Sequence, residues 1–362
     1  MKLLNPGPVS MTERVRSALA SEDVCHREPE FKELVGRVRE RITGVYGEKG
    51  FTPVLLGGSG TAAVEAMLSL VAKDETVLVV ANGVYGERIA AMLKAQSKAH
   101  ELLASAWTSG IDLASADREL AKGKYKHVLT VHHETTTGRL NDVAGLGAIA
   151  KKHGVPMLVD AVSSFAGEDL RLADWNIEAL AATANKCVHG APGVSFVLAS
   201  DDALKRPSGA TSVYLDLSRH AADQAKGSTP FTLPTHVTRA FDEALAELTD
   251  EGGWKTRHAT YRTRSARVRG VCSELNAPLL LTDAAGAPDG AAYGSTLTSF
   301  RLPDQEPRRT YENLHAALKR DGFVIYAGQG KFDGAIFRIA VMGDLSAADL
   351  DRLAASLRGA LA

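Results

Sequence analysis

Short, continuous apolar runs alternate with helix-like segments through the first two thirds of the chain. The apolar runs cover residues 77–81, 127–131, 156–160, 180–183 and 195–198, with helix-like segments at 86–94 and 146–153. A strand that is apolar at every position is buried on both faces, and strands joined through helices run parallel. The pattern therefore predicts an α/β fold with a mostly parallel sheet. In such sheets ligands bind at the carboxyl ends of the strands.

The last third of the chain has a different pattern. A long helical stretch at 254–275 precedes predicted strands at 297–302, 323–326 and 336–341, with predicted helices at 310–320 and 346–361. This mixture predicts a smaller α+β domain. We expect a large domain over residues 16–250 and a small domain built from 1–15 and 251–362. The Gly- and Ala-rich segment 284–294 is expected to be a surface loop.

Charge and cysteine usage narrow the class of protein. The 362 residues include 42 Lys and Arg against 43 Asp and Glu, so the net charge of −1 gives no reason to expect nucleic acid or an anionic membrane as a partner. The three cysteines (Cys25, Cys187 and Cys272) are an odd and low count for a chain of this length, so we expect no disulfide framework. The first residues contain no signal-peptide run, and no segment reaches the roughly 20 apolar residues of a membrane span. We expect a cytoplasmic protein.

A glycine-rich motif at residues 57–61 (GGSGT) precedes a small, apolar run at 62–71. Glycines let a ligand approach the main chain, and a helix start offers free N–H groups with positive partial charge. Ser59 and Thr61 add hydroxyl donors. The segment can hold a phosphate, although a plain loop with a helix cap explains it equally well. It does not match a Walker loop, because no Gly-Lys-Ser/Thr follows.

A carboxylate and a lysine follow two of the predicted strands. Asp160 ends the run 156–160, and Lys186 comes just after 180–183. Taken alone, the first is typical of a turn or helix cap and the second of a surface charge. Together they suit a pyridoxal cofactor, in which a carboxylate keeps the pyridine nitrogen protonated and a desolvated amine forms an imine. They are 26 residues apart, one strand–turn–strand step.

A third polar segment follows the strand at 127–131. It spans residues 131–138 (VHHETTTG), whose hydroxyls could meet a ring substituent or simply cap a turn. Each motif is weak by itself. Their order along the chain carries the argument: the phosphate loop, then Thr135, then Asp160, then Lys186.

With these motifs assembled, the sequence resembles the class V, fold-type I pyridoxal-phosphate aminotransferases. The resemblance runs from residues 4–8 (LNPGP) to 337–339 (FRI). Its most specific segments are 58–66 (GSGTAAVEA), 82–88 (NGVYGER), 133–138 (HETTTG), 160–165 (DAVSSF) and 184–187 (ANKC). It implies a mostly parallel, seven-stranded sheet in the large domain and pyridoxal 5'-phosphate as cofactor.

The resemblance also implies roles for individual residues. Lys186 would hold the cofactor as a Schiff base and, as a free amine, move a proton between the substrate's α-carbon and C4′ of the cofactor, while Asp160 pairs with the pyridine nitrogen. The other implied cofactor contacts are Ser59, Gly60 and Thr61 at the phosphate, Tyr85 stacked on the ring, Thr135 near its phenolic oxygen, and Asn185 beside the lysine.

Two further roles concern the substrate and a second subunit. Arg338 matches the arginine that grips the carboxylate of the amino acceptor, a task for which a planar guanidinium is suited. Thr235 matches a segment that reaches the phosphate of the neighbouring subunit's cofactor. The resemblance therefore implies a homodimer with shared active sites.

Within this family the sequence is most similar to enzymes that transfer the amino group of 2-aminoethylphosphonate to pyruvate, giving phosphonoacetaldehyde and L-alanine by ping-pong kinetics. An alanine– or serine–glyoxylate aminotransferase is the alternative. A cysteine desulfurase would need a nucleophilic cysteine on a late, mobile loop, whereas Cys272 falls in a predicted helix. A binding protein without catalysis would have no reason to keep both Asp160 and Lys186.

The sequence departs from the better-known members of the family in two places. Asn5 stands where they carry threonine, and the segment 25–31 (CHREPEF) resembles a separate branch. His26 and Arg27 could meet an anionic group or form an ordinary helix start. No metal site is expected.

Overall fold

The computed structural model describes residues 1–283, 285–302 and 310–361. The strands are β1 (Lys2–Leu3), β2 (Phe51–Gly57), β3 (Thr76–Ala81), β4 (His100–Ala104), β5 (Tyr125–Val131), β6 (His133–Glu134), β7 (Arg139–Leu140), β8 (Met157–Asp160), β9 (Ile177–Thr183), β10 (Val194–Ser200), β11 (Leu297–Arg301), β12 (Phe323–Val324), β13 (Tyr326–Ala327) and β14 (Ile336–Ala340).

The α-helices are α1 (Glu13–Leu19), α2 (Pro29–Tyr46), α3 (Gly60–Met67), α4 (Val84–Ala95), α5 (Leu113–Leu120), α6 (Val143–Lys152), α7 (Asp201–Lys205), α8 (Leu217–Ala225), α9 (Thr235–Asp250), α10 (Gly253–Glu274), α11 (Tyr311–Arg320) and α12 (Ala347–Leu361). Short 3₁₀ turns lie at Leu68–Leu70, Gly290–Ala292 and Gly330–Phe332.

A seven-stranded sheet forms the centre of the fold, with strand order β2-β10-β9-β8-β5-β3-β4. Only β10 runs antiparallel to its neighbours in this sheet, since β3, β4, β5, β8 and β9 pair in parallel. The prediction of a mostly parallel sheet is confirmed. Because β10 reverses direction between β9 and β2, the strands β2, β3, β5, β8 and β9 all end at the same edge.

The apolar strands are buried on both faces, as their composition predicts. Val77 and Val79 of β3 belong to the core on one side of the sheet. The alternating residues Leu78 and Val80 belong to the larger core on the other side. Successive side chains of a strand point to opposite faces of the sheet, and both faces are covered by core residues here. The strand is therefore apolar at every position.

The sequence did not indicate the two edge strands. Proline cannot donate a ladder hydrogen bond, and Pro53 interrupts the apolar run of β2, which is tolerated because β2 lies at one edge of the sheet. The strand β4 forms the opposite edge and is largely exposed, so it lacks the continuous apolar character of its neighbours.

The C-terminal third forms smaller sheets. Strands β11, β14 and β13 pair in that order, all antiparallel. The N-terminal strand β1 pairs in parallel with β12. The single strand predicted at 323–326 is therefore wrong in one respect: it divides at the buried Ile325 into two strands that join different sheets.

The predicted surface loop at 284–294 is only partly a surface loop, and its first residue, Ala284, lies outside the described residues. Residues 285–288 are exposed, but Tyr293 is buried. Its hydroxyl donates to the carbonyl of Ser299 at 2.8 Å and accepts from the amide of Leu281 at 2.9 Å. The buried Tyr293 thus anchors the end of this segment, whose glycines and alanines had suggested an exposed loop.

Two simpler expectations concern membranes and disulfides. Among the described residues, no helix combines the length and the apolar character that crossing a bilayer demands. All three cysteines are free, Cys25 at the surface and Cys187 and Cys272 in the interior.

Candidate active site

Asp160 closes strand β8 and is 7 % exposed. Its Oδ1 accepts a hydrogen bond from the amide of Val162 at 2.9 Å, and no described residue donates to Oδ2. Burial raises the pKa of this carboxyl to about 6, and the nearby carboxylate of Glu134 adds to the rise. Because Oδ2 has no protein donor, it is free to accept a hydrogen bond from a ligand.

Lys186 lies in the turn after β9, the strand next to β8, and its Nζ donates to the main-chain carbonyl of Pro6. The aliphatic chain runs along Gly7, where a Cβ would stand only 2.6 Å from Cδ and 2.9 Å from Nζ. Burial lowers the pKa of this amine to about 8, and the positive charge of Arg338 acts in the same direction. A substantial fraction of the lysine is therefore neutral near pH 8.

The glycine-rich motif leads from β2 into the start of α3 at the same edge of the sheet. A Cβ at Gly60 would lie 2.7 Å from Val162, two residues beyond Asp160. Ser59 occupies the helix N-cap position but its side chain makes no capping bond. Within residues 1–283, no hydrogen bond engages the amides of Gly60 and Thr61 or their neighbouring hydroxyls. The free donors favour an anion site over an ordinary capped helix.

The turn at 133–138 joins the short strands β6 and β7. Thr135 in this turn is buried, and its Oγ1 has no partner among the described residues. The fully buried Glu134 accepts from the amide and hydroxyl of Thr136 at 3.1 and 2.6 Å, and from the amide of Gly86 at 3.3 Å. Burial raises the pKa of Glu134. This carboxyl therefore ties the turn to the beginning of α4.

Tyr85 lies in the first turn of α4 and is half-buried. The guanidinium of Arg88 stands 4.8 Å from the centroid of its ring, a cation–π distance. The positive charge of Arg88 also acts to lower the pKa of Asp160, against the larger effect of burial. Asn185 accepts from the hydroxyl of Thr183 at 2.8 Å, a contact that shapes the turn leading to Lys186.

Arg338, in β14, is 1 % exposed. Its Nε donates to the carbonyl of Ala327 at 2.8 Å, and its Nη1 donates to the carbonyl of Thr135 at 2.7 Å and to Oε1 of Gln329 at 3.3 Å. No described residue accepts from Nη2, which is not sealed from solvent. The arginine therefore reaches from the C-terminal sheet to the turn at Thr135 and keeps one nitrogen open.

Thr235 stands apart from this group. It is the first residue of α9, and its Oγ1 lies 3.5 Å from Nδ1 of His236. The preceding Pro234 lies beside Gly57, where a Cβ would be 3.5 Å from its Cδ. His26 approaches the same segment, with Nε2 3.4 Å from the hydroxyl of Thr232, while Arg27 is exposed. The contribution of Thr235 to a neighbouring subunit stays a prediction.

Sequence reasoning overlooked four residues that shape this site. They are the carbonyl of Pro6, Glu134, Gln329, and Tyr214, whose hydroxyl donates to the carbonyl of Gly57 at 2.9 Å. Only Glu134 could have been recognised from the sequence, because a charged residue three positions after a buried strand needs a partner. The others act through contacts between distant parts of the chain.

The sequence profile of the family described as Aminotransferase class-V matches residues 12–260. The chain belongs to the class V aminotransferases. A relative of this family from Vibrio vulnificus (strain CMCP6), 2-aminoethylphosphonate–pyruvate transaminase, is 36 % identical over 99 % of this chain and 97 % of its own.

Solved aminotransferase structures share the whole fold. An aspartate aminotransferase from Thermus thermophilus superposes with a TM-score of 0.89 at 27 % identity, covering 100 % of this chain and 99 % of the other. An alanine–glyoxylate aminotransferase from Nostoc sp. gives 0.90 at 22 % identity, covering 99 % and 95 %. The second likeness shows the fold alone.

Class V aminotransferases depend on pyridoxal 5'-phosphate, and the residues present fit this group. The open Oδ2 of Asp160 suits a protonated ring nitrogen, and the free donors at the start of α3 suit a phosphate. Lys186, with its lowered pKa, supplies the amine. The cofactor contributes an electron sink for the bonds that break at the substrate's nitrogen-bearing carbon.

Proposed function

We propose that this aminotransferase transfers the amino group of 2-aminoethylphosphonate to pyruvate, giving phosphonoacetaldehyde and L-alanine by ping-pong kinetics. The observation that carries the proposal is the likeness to the Vibrio vulnificus enzyme over nearly the full length of both chains. It extends across both the N-terminal residues beside Lys186 and the strand that carries Arg338.

Lys186 is the group that moves protons. Its amine is partly neutral near pH 8, so it can accept a proton from the substrate's nitrogen-bearing carbon and return one to the acceptor. The carbonyl of Pro6 and the main chain of Gly7, which has no side chain, hold the lysine side chain in a narrow channel. Burial of Asp160 strengthens its attraction for a positively charged partner, because few waters compete.

Arg338 is the group that recognises acids. One substrate presents a phosphonate and the other a carboxylate, and both must bind in turn. Its guanidinium is always charged and is fixed by three hydrogen bonds, so it is already oriented when an acid arrives. The open Nη2 offers two donors to the incoming group.

We also propose that the chain works in the cytoplasm as a homodimer with shared active sites, to which Thr235 contributes across the interface. Val213 and Tyr214 are exposed, Tyr214 bonds to the glycine-rich motif at Gly57, and the two side chains would suit such an interface. For the chain itself we propose a large domain over 16–250 and a small domain from 1–15 and 251–362. The pairing of β1 with β12 supports joining the two ends.

An absorbance spectrum tests the function directly. Purified protein is expected to show a band near about 410–420 nm from the bound cofactor. Addition of 2-aminoethylphosphonate without pyruvate should bleach the band, and pyruvate should restore it. Bleaching by alanine or serine but not by 2-aminoethylphosphonate would leave the cofactor assignment intact and replace the donor. Failure to obtain any band with added cofactor would refute the role of Lys186.

The alternative, an alanine– or serine–glyoxylate aminotransferase, uses the same cofactor residues. No feature of the described site residues favours it over the phosphonate donor. Glyoxylate as acceptor and serine or alanine as donor, assayed against 2-aminoethylphosphonate and pyruvate, separate the two activities.

A further inference from the structure

The hydrogen-bond pattern of Arg338 limits how an acid can bind to it. A guanidinium grips a planar carboxylate best through two parallel N–H bonds from two different nitrogens. Here Nε is taken by the carbonyl of Ala327, and the two donors of Nη1 are taken by Thr135 and Gln329. Among the described residues, only Nη2 is left without a protein acceptor. A bidentate carboxylate therefore has to displace one of these three acceptors.

The three acceptors differ in how readily they can leave. Ala327 belongs to strand β13 and Thr135 to a buried turn, so their carbonyls cannot move without the main chain. Their bonds to Arg338 are also shorter, 2.8 and 2.7 Å against 3.3 Å for Gln329. Gln329 contributes a side chain, which can change rotamer at little cost. Gln329 is thus the acceptor that an incoming carboxylate would displace.

The main chain around Gln329 is held firmly, so the side chain can move alone. The amide of Gly328 donates to Ile336 at 3.2 Å, and the carbonyl of Gln329 accepts from Phe332 at 3.1 Å. On the following turn, the ammonium of Lys331 stands 4.4 Å from the ring centroid of Trp107. A rotation of the glutamine side chain disturbs none of these contacts.

We propose that Gln329 is a specificity-determining residue that adapts Arg338 to its two acids. When a carboxylate binds, Gln329 releases Nη1, and the carboxylate takes Nη1 and Nη2 together. When a phosphonate binds, two of its three oxygens are met by the two donors of Nη2, and Gln329 stays in place. The inference rests on the proposed function, since it is the transfer from a phosphonate donor to a carboxylate acceptor that requires both modes.

Isothermal titration of the holoenzyme with propionate and with ethylphosphonate tests this exchange. Gln329→Met keeps the size of the side chain but removes the oxygen, so propionate should bind about three- to tenfold more tightly while ethylphosphonate changes less than about twofold. The KM for pyruvate should fall in parallel, with the KM for 2-aminoethylphosphonate unchanged. Gln329→Asn, which is too short to reach Nη1, should behave in the same way and serves if the first variant misfolds.

Asp333→Asn is the matched control, because Asp333 is exposed on the same loop and its carboxylate makes no hydrogen bond or ion pair with a described residue. The proposal is overturned if propionate binds no more tightly in either Gln329 variant, or if both ligands shift by the same factor. Failure of the proposed function would look different: ethylphosphonate would not bind the unaltered enzyme at all. The propionate titration would then still decide the role of Gln329.

Discussion

Gly7 packs directly on the side chain of Lys186, so that a methyl group at residue 7 would stand 2.6 Å from Cδ of the lysine. Carbon atoms do not approach so closely without displacement. The N-terminal segment therefore forms one wall of the channel in which the proton-carrying amine lies, and the absence of a side chain at residue 7 sets its width.

Gly7→Ala should consequently lower the affinity for pyridoxal 5'-phosphate and reduce turnover by at least about tenfold, because the lysine must shift from its channel. Fluorescence titration with the cofactor and steady-state rates measure both effects. Gly227→Ala is the control, since Gly227 also has a positive φ of 71° but no neighbour near its missing Cβ. Equal losses in the two variants would show that main-chain strain, and not the lysine, is responsible.

Asp160→Asn should have opposite effects on stability and on cofactor binding. The folded pKa of Asp160 is about 6, above its ordinary 3.8, so folding favours the protonated form. In the cofactor-free protein, stability should therefore fall as pH rises from about 4 to 6, by on the order of 1–3 kcal/mol from this group. The asparagine variant should lack this decline and be more stable than the parent at pH 7, yet bind the cofactor poorly.

Urea denaturation of the cofactor-free proteins between pH 4 and 8 measures that difference. Asp174→Asn, an exposed substitution, provides the comparison. A parent and an Asp160→Asn variant with parallel pH curves would contradict the assignment of a raised pKa to this carboxyl.

Arg338→Ala should raise the KM for both 2-aminoethylphosphonate and pyruvate by roughly tenfold or more, because the same guanidinium meets both acids. The absorbance band of the bound cofactor should persist, since Arg338 is assigned to the substrate. Arg320→Ala, at the exposed end of α11, should leave both constants unchanged. An unaltered KM for pyruvate would remove Arg338 from the acceptor site.

Glu134→Gln should weaken cofactor binding by about five- to thirtyfold. Both carboxylate oxygens of Glu134 accept hydrogen bonds, whereas one end of the glutamine amide would direct N–H groups at the N–H of Gly86 or Thr136. The start of α4, which carries Tyr85, should shift as a result. Equilibrium titration with the cofactor measures the change, and an affinity equal to that of the exposed-site variant Glu40→Gln would disprove it.

The sequence allowed the central sheet and the polar residues at its carboxyl edge to be predicted. Continuous apolar runs are a local signal, Asp160 ends one of them, and Lys186 and Thr135 follow two others within a few residues. The edge strands were missed because neither is a continuous apolar run: Pro53 interrupts β2, and β4 is exposed and partly polar. The division of the predicted strand at Ile325 was missed because it depends on two different pairing partners.

The parts of the site that could not be predicted arise from residues far apart in the chain. Pro6 meets Lys186 across 180 positions, and Thr135 meets Arg338 across 203. Both contacts use main-chain carbonyls, which every residue possesses and which no sequence motif marks. Gln329 likewise gains its importance only from the geometry of the guanidinium it contacts.

The parallel pairing of β1 with β12 has a practical consequence for handling the protein. The amides of Lys2 and Leu4 bond to the carbonyls of Gly322 and Val324 at 2.7 and 2.8 Å, and the same short segment continues to Pro6 beside the lysine. Any change that loosens this pairing would therefore displace the wall of the channel. Removal of residues 1–4 would cost activity as well as stability, because it would break this pairing.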